Sequence, residues 1–332
     1  MEILIIGGTR NLGHLLTPKL LEAGHQVTVF NRGQTVEELP ADVPRLRGDR
    51  SDPVCLQRAL AGRSFDVVVD TTLYNGDDAH TITTLLDGRV GHYIFLSTGQ
   101  VYLVRLDLPR PFAENDYEGP LRKAPPPGTR DHGEWTYGVE KRQAEDVLAR
   151  AWGTRRFPST TLRLPMVNSE RDHFHRIDGY LLRLRDGGPI LLPTGAHLPL
   201  RHVYGGDVVR AIATLVDTGL GKGCAYNLSQ DETLSVEDFL ALLASMAGYE
   251  ARVTRVNKGL LESRNLLPEC SPFSDPWMSE LDNRRSKAEL GMQYTPLPIY
   301  LQRLIGHYKS HPPPMPEGYR RRREEIALAC DT

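Results

Sequence analysis

The stretch Ile3-Leu-Ile-Ile6-Gly7-Gly8-Thr9-Arg10-Asn11-Leu12-Gly13 opens the chain, and from Leu12 to Ala23 apolar residues recur at helical spacing. Ile3–Ile6 predicts a buried strand, so the glycines stand between a strand end and a helix start. Glycine lets a backbone turn tightly and approach a diphosphate, and a helix start offers unpaired N–H donors. Gly7, Gly8, Thr9, Arg10, Asn11, Leu12 and Gly13 are therefore candidate contacts for the phosphates of a dinucleotide. Arg10 occupies the place where such loops usually carry a middle glycine. A purely structural turn is the poorer reading.

Outward from this loop, strand-like runs at Val27–Phe30, Val67–Val69, Tyr93–Leu96 and Thr160–Leu164 alternate with helical stretches at Ile82–Leu86 and Tyr137–Ala151. The runs are continuously apolar, as in parallel strands covered on both faces. Residues 1–165 thus predict a doubly wound parallel α/β sheet. Beyond them, helical stretches at Gly179–Arg185, Val208–Asp217, Val236–Ala247 and Pro298–Tyr308 are spaced by loops and short strands such as Ala225–Leu228. Residues 166–332 read as a smaller mixed α/β lobe for the substrate, beside the sheet or interleaved with it. Leu106–Trp135 and Lys258–Pro276 read as long loops. Tyr319-Arg-Arg-Arg-Arg-Glu-Glu325 reads as a solvated charged helix, with a phosphate or oligomer contact as the alternative.

The chain has 332 residues, 40% hydrophobic and 25% charged, with a net charge of −2. This excludes collagen-like, coiled-coil and wholly disordered classes and disfavours a surface that coats nucleic acid. No apolar run reaches the roughly 18 residues of a membrane span. Cys55, Cys224, Cys270 and Cys330 show no zinc or redox spacing, so no metal is expected. The start of the chain carries no basic, apolar leader, which adds the expectation of a reduced, cytoplasmic, soluble protein.

Asn31-Arg32-Gly33 follow the second strand, where NAD-specific sites place a carboxylate on the ribose hydroxyls. No carboxylate stands there, and the guanidinium groups of Arg10 and Arg32 suit a 2′-phosphate. NADP(H) is favoured over NAD(H). With one or both arginines facing water, NAD is the alternative.

Trp135-Thr-Tyr137-Gly-Val-Glu-Lys141 puts a tyrosine and a lysine four residues apart, on one helix face. The preceding strand ends in Leu96-Ser97-Thr98-Gly99-Gln100-Val-Tyr102, a second source of hydroxyls. Together with the glycine loop, Gly48-Asp49, Leu162–Pro165, Arg201–Asp207 and Tyr226–Leu228, these motifs resemble the extended or atypical short-chain dehydrogenase/reductase superfamily. That group contains the NAD(P)-dependent epimerase/dehydratase family, and the resemblance spans nearly the whole chain. It implies a Rossmann fold with Tyr137 as general acid/base, Lys141 as the cation beside it and Thr98 as the hydroxyl that holds the substrate oxygen. It also implies Asp49, with Arg50 next to it, at the adenine, and Thr71 and Thr72 along the cofactor path. A free tyrosine titrates near about 10, and positive charge from Lys141 and oxidised nicotinamide would bring it closer to neutral pH.

Ser97 competes with Thr98; otherwise it satisfies backbone groups at the strand end. His173 and His175, with Arg176, follow the sixth strand and are candidates for a polyhydroxylated or anionic substrate. His132 and Glu134 lie just ahead of Tyr137 with no assigned chemistry. Arg201 suggests a clamp for a nucleotide-sugar diphosphate, though it stands one residue nearer Asp207 than the family's arginine does. Asp207 reads as structural, capping the next helix. Relatives that eliminate water carry Asp-Glu after this threonine, where the chain has Gly99-Gln100, so dehydration is disfavoured.

The leading expectation is an NAD(P)(H)-dependent oxidoreductase acting on a secondary alcohol or ketone of a nucleotide-sugar-like substrate. A sugar epimerase that retains NAD is the second reading. The third, suggested by the Gly-Gly-Thr-Arg start, is an RNA-binding relative of the chloroplast stem-loop-binding proteins. A small-molecule substrate is the expected partner, with neither nucleic acid nor membrane, and a homodimer is the possible assembly.

Overall fold

Six strands of the first half, β1 (Glu2–Ile6), β2 (Gln26–Asn31), β3 (Arg45–Arg47), β4 (Phe65–Asp70), β5 (Val90–Thr98) and β6 (Ser159–Leu164), pair in parallel. The computed structural model describes residues 1–34 and 39–331. The helices between these strands are α1 (Asn11–Glu22), α2 (Pro53–Leu60), α3 (Gly76–Leu85), α4 (Gln100–Leu103) and α5 (Arg130–Arg155). Then come β7 (Val167–Asn168), α6 (Arg176–Asp186), β8 (Ile190–Pro193), β9 (Val203–Tyr204), α7 (Gly205–Thr218) and β10 (Ala225–Asn227). The chain ends with α8 (Val236–Ala247), β11 (Val253–Val256), α9 (Lys258–Ser263), α10 (Arg284–Leu290), α11 (Leu297–Ser310) and α12 (Arg322–Cys330).

β10 pairs with β6 and completes a seven-stranded sheet of order β10-β6-β5-β4-β1-β2-β3. A boundary at residue 165 therefore divides the chain but not the sheet. Alternate residues of a strand point to opposite faces, and both faces here are covered. Ile3 and Ile5 pack with α1 and α7, while Leu4 and Ile6 pack with α2, α3 and α5. That double burial explains the continuous apolar runs. Strand order reverses between β1 and β4, which opens a crevice at their carboxyl ends. The lobe has its own core, built around Tyr180, Phe239, Leu243, Tyr300 and Leu304 from α6, α8 and α11. Among the described residues, no helix is long and apolar enough to cross a membrane.

Three expectations are corrected. The loop expected over Leu106–Trp135 ends at Thr129, whose hydroxyl accepts from His132 N at 3.1 Å and caps α5. The first turns of α5, Arg-Asp-His-Gly-Glu, have no apolar period to announce a helix. The stretch Lys258–Pro276 likewise holds α9. The charged C-terminal helix is not solvated all round: Arg322 and Glu325 are buried, and Glu325 pairs with Arg183 of α6. Asp207 is structural, as expected, but not by capping. Its carboxylate accepts from the N–H and hydroxyl of Thr295 at 2.8 and 2.6 Å, tying α7 to a distant loop.

Candidate active site

A cavity of about 550 Å³ lies over the carboxyl ends of β1, β2, β4 and β5. Its floor needs glycine at two places. Gly7 has a φ of +101°, and a Cβ there would sit 2.1 Å from Thr71 Oγ1. A Cβ on Gly13 would sit 2.2 Å from Gly8 Cα, so α1 starts pressed against the loop. The loop thus leaves backbone, rather than side chains, facing the cavity.

On the β2 side, Asn31 Oδ1 accepts from Gly33 N at 2.9 Å and from Arg47, while Arg32 lines the cavity beside it. Asp49 accepts from Ser51 N at 2.9 Å, and that bond leads in holding its carboxyl below the usual range, helped by the charge of Arg32. Arg50 is buried against Asp70 at 2.5 Å, and Asp70 also accepts from Tyr93 at 2.7 Å. Arg50 Nε and Asn31 Nδ2 are buried donors with no hydrogen-bond partner among the described residues. An unmet buried donor costs about 1–3 kcal/mol, so a ligand rich in oxygen acceptors fits this cavity. Thr71 Oγ1 donates to Ile6 O at 3.0 Å, and Thr72 N donates to Asp70 at 2.9 Å.

At the β5 end stand the three hydroxyl and amine groups expected to carry chemistry. Thr98 Oγ1 accepts from Gln100 N at 3.2 Å and lies beside the half-buried Tyr137 hydroxyl. Lys141 Nζ donates to Leu73 O and Leu96 O at 2.6 and 3.0 Å and lies 5.8 Å from the Tyr137 ring centre. Burial brings the Lys141 amine down to about 7, opposed by the charge of Asp70. Burial likewise pushes the Tyr137 phenol above its ordinary value, with Tyr74 adding to the rise and Thr98 opposing it. The expected fall of Tyr137 toward neutral pH calls on the charge of the oxidised nicotinamide as well as that of Lys141. Desolvation of the phenolate is the leading cause of the rise.

Ser97 lines the cavity but donates to Glu145 Oε1 at 2.5 Å. Glu145 in turn holds Arg163 of β6 through bonds of 2.6 and 3.0 Å, both side chains buried. Tyr137, Lys141 and Glu145 follow at four-residue steps, so one stripe of α5 carries both the chemistry and its anchor to the sheet. Glu145 and Asp70 stand outside every motif quoted from the sequence, and Arg163 lies inside the Leu162–Pro165 motif with no role assigned to it there. The available signal was a lone arginine inside the apolar run of β6.

Residues 3–229 match the NAD dependent epimerase/dehydratase family. The chain belongs to that family. This family member is 26% identical over 265 residues to the chloroplast stem-loop binding protein of 41 kDa b of Arabidopsis thaliana, covering 75% of this chain and 64% of that one. It is 24% identical over 238 residues to the 2′-dehydrokanamycin reductase of Streptomyces kanamyceticus, covering 70% and 63%. The matches span less than two thirds of either relative. The crystal structure of UDP-glucose 4-epimerase from Thermotoga maritima, solved with UDP-glucose, aligns with a TM-score of 0.74 at 18% identity. The alignment covers 93% of this chain and 99% of that one, which shows a common fold.

Two other expected site residues of the epimerase/dehydratase-family chain lie away from the cavity. His175 precedes α6, with Nδ1 2.8 Å from Asp178. Arg201 Nε donates to Gln230 O at 3.0 Å. His173, by contrast, lines the cavity wall near Arg10. At the β5 rim, a Cβ on Gly99 would meet Ser279 Oγ at 2.1 Å, and Gln100 donates its amide to Glu134. Arg130 binds the same Glu134 carboxylate at 3.4 Å.

Proposed function

We propose that this family member is an NADP(H)-dependent oxidoreductase acting on a secondary alcohol or ketone of a nucleotide-sugar-like substrate. One observation carries the reading: Thr98, Tyr137 and Lys141 share a single cavity with the Gly7–Gly13 loop. The reductase name of the Streptomyces relative supports the same class. When bound, the nicotinamide donates or accepts the hydride. The chain's own groups handle the oxygen. Thr98 and Tyr137 hydroxyls hold it, and Tyr137 gives up its phenolic proton as the oxygen gains negative charge. Lys141, while protonated, stabilises the phenolate that remains.

Arg32 stands where a carboxylate would otherwise meet the ribose hydroxyls, and this supports NADP(H). NADPH should bind the wild type more tightly than NADH. Arg32→Asp should erase or reverse that order, since one charge-assisted contact is worth roughly tenfold or more. Fluorescence titration of both dinucleotides decides it, and equal wild-type affinities would overturn the assignment.

Elimination of water beside a transient ketone needs an acid and a base at the β5 rim. Gly99 has no room for a side chain against Ser279, and a glutamine amide transfers no proton near neutral pH. The nearby Glu134 carboxylate is engaged by Gln100 and Arg130. Incubation with nucleotide-linked hexoses should therefore yield reduced, oxidised or inverted sugars without loss of water. A dehydrated 4-keto product in the mass spectrum would sink this part of the reading.

A further inference from the structure

The lobe reaches back to the glycine loop at one point. Ser169 Oγ donates to Asn11 Oδ1 at 2.6 Å, joining the segment after β7 to the first residue of α1. The segment is wedged there, because a Cβ on Gly205 would stand 2.8 Å from Ser169 Cβ and 3.2 Å from Leu15. Four residues beyond Ser169, His173 forms part of the cavity wall together with Arg10 and Asn11.

The turn that presents His173 is held firmly. Asp172 accepts from the backbone N–H of Phe174 at 3.1 Å and of Arg176 at 3.3 Å. The Arg176 guanidinium binds the same carboxylate at 3.1 Å and lies 4.3 Å from the Phe174 ring. The His173 ring sits 4.0 Å from that of Phe174. The charged and titratable groups around the imidazole are Asp172, His175 and Arg176 on its own segment and Arg10 across the cavity. Asp172 is already bound to Arg176, so its carboxylate is engaged within its own segment.

The two loop arginines thus face different neighbours. Arg32 acts on Asp49, at the β3 end, whereas Arg10 acts on His173, at the lobe. Arg10 also stands midway between Gly7 and Gly13, where the backbone is shaped for a diphosphate.

We infer that Arg10 and His173 together grip the diphosphate of the dinucleotide from the loop and from the lobe, leaving the 2′-phosphate to Arg32. The inference rests on the nicotinamide reading above, but it does not depend on preference for NADP(H). Burial leads in holding the free His173 imidazole below its ordinary value, and the neighbouring cations add to this. An anion placed between Arg10 and His173 reverses that effect, so binding is accompanied by proton uptake.

The test uses the whole protein and four probes: NADPH, NADH, ADP and 2′-AMP, titrated against wild type, Arg10→Gln and His173→Gln. Both side chains are solvent-exposed on one side, and unchanged melting temperatures confirm intact folds. Each substitution should weaken NADPH, NADH and ADP alike by roughly tenfold. Neither should alter 2′-AMP, which lacks a diphosphate. Wild-type affinity for NADH, whose diphosphate keeps its charge, should fall as pH rises through the imidazole's titration, and His173→Gln should flatten that fall. Loss confined to NADPH and 2′-AMP, or affinities equal to wild type, overturns the inference. Equal wild-type affinities for NADPH and NADH would remove the NADP(H) assignment alone.

Discussion

Tyr137→Phe should leave the fold and dinucleotide binding intact while slowing the hydride-transfer step by roughly 10²–10⁴-fold, the usual worth of a general acid/base. The substitution removes one oxygen, and the ring keeps its place beside Lys141, 5.8 Å away. Thr98 alone still holds the substrate oxygen but has no proton of suitable acidity to give. Single-turnover oxidation of NADPH, followed by absorbance, measures the step directly. Undiminished turnover would show that another group moves the proton. The pH profile of the same assay carries a second signature of the site. With its amine at about 7, Lys141 is charged below neutral pH and loses that charge above it. In the direction of carbonyl reduction, kcat/KM should therefore fall as pH rises through about 7. A profile flat across that range would separate Lys141 from the chemistry.

What is legible in the sequence is what lies close along the chain. The glycine loop, Thr98 and the Tyr137–Lys141 pair each occupy a few consecutive residues on a strand end or one helix turn. Their geometry follows from local structure, and the structure brings them into one cavity. The doubly wound sheet is legible for the same reason, since the strands of its first half are short apolar runs, apart from the Arg-Leu-Arg of β3. Contacts between distant segments are not. Ser169 meets Asn11 across 158 residues, and Arg130 meets Asp275 across 145. β10 is only Ala-Tyr-Asn, too short for a period, yet it completes the sheet beside β6. His175 stands two residues from His173 of the cavity wall, but the chain turns it toward Asp178, as it turns Arg201 toward Gln230. Composition misleads most at the end of the chain, where a run of arginines and glutamates reads as a wet surface.

That run supplies one half of the lobe's most deeply buried charge pair among the described residues, and breaking it should produce a large loss of stability. Arg183 and Glu325 are both 1% exposed. Arg183 Nε donates to Glu325 at 2.9 Å and its NH1 donates to Gly179 O at 2.9 Å. Glu325 also accepts from Arg322 at 2.9 Å, while Arg322 reaches Asp186 at 2.7 and 2.8 Å. The two sides of this network are unequal. Arg322 keeps Asp186 if Glu325 is lost, but Arg183 is left with backbone carbonyls alone. Glu325→Leu therefore strands a buried guanidinium and should cost about 3–5 kcal/mol in urea unfolding. Arg183→Met should cost less, because Arg322 still neutralises Glu325. The double variant, Arg183→Met with Glu325→Leu, should recover much of the loss, since the uncompensated charge is gone and apolar volume replaces it. Equal losses in all three variants would mean that packing of α12, rather than charge, holds the end of the chain to the lobe. The cavity over β1 and β4 lies outside this network, so each variant that remains folded should bind NADPH as the wild type does.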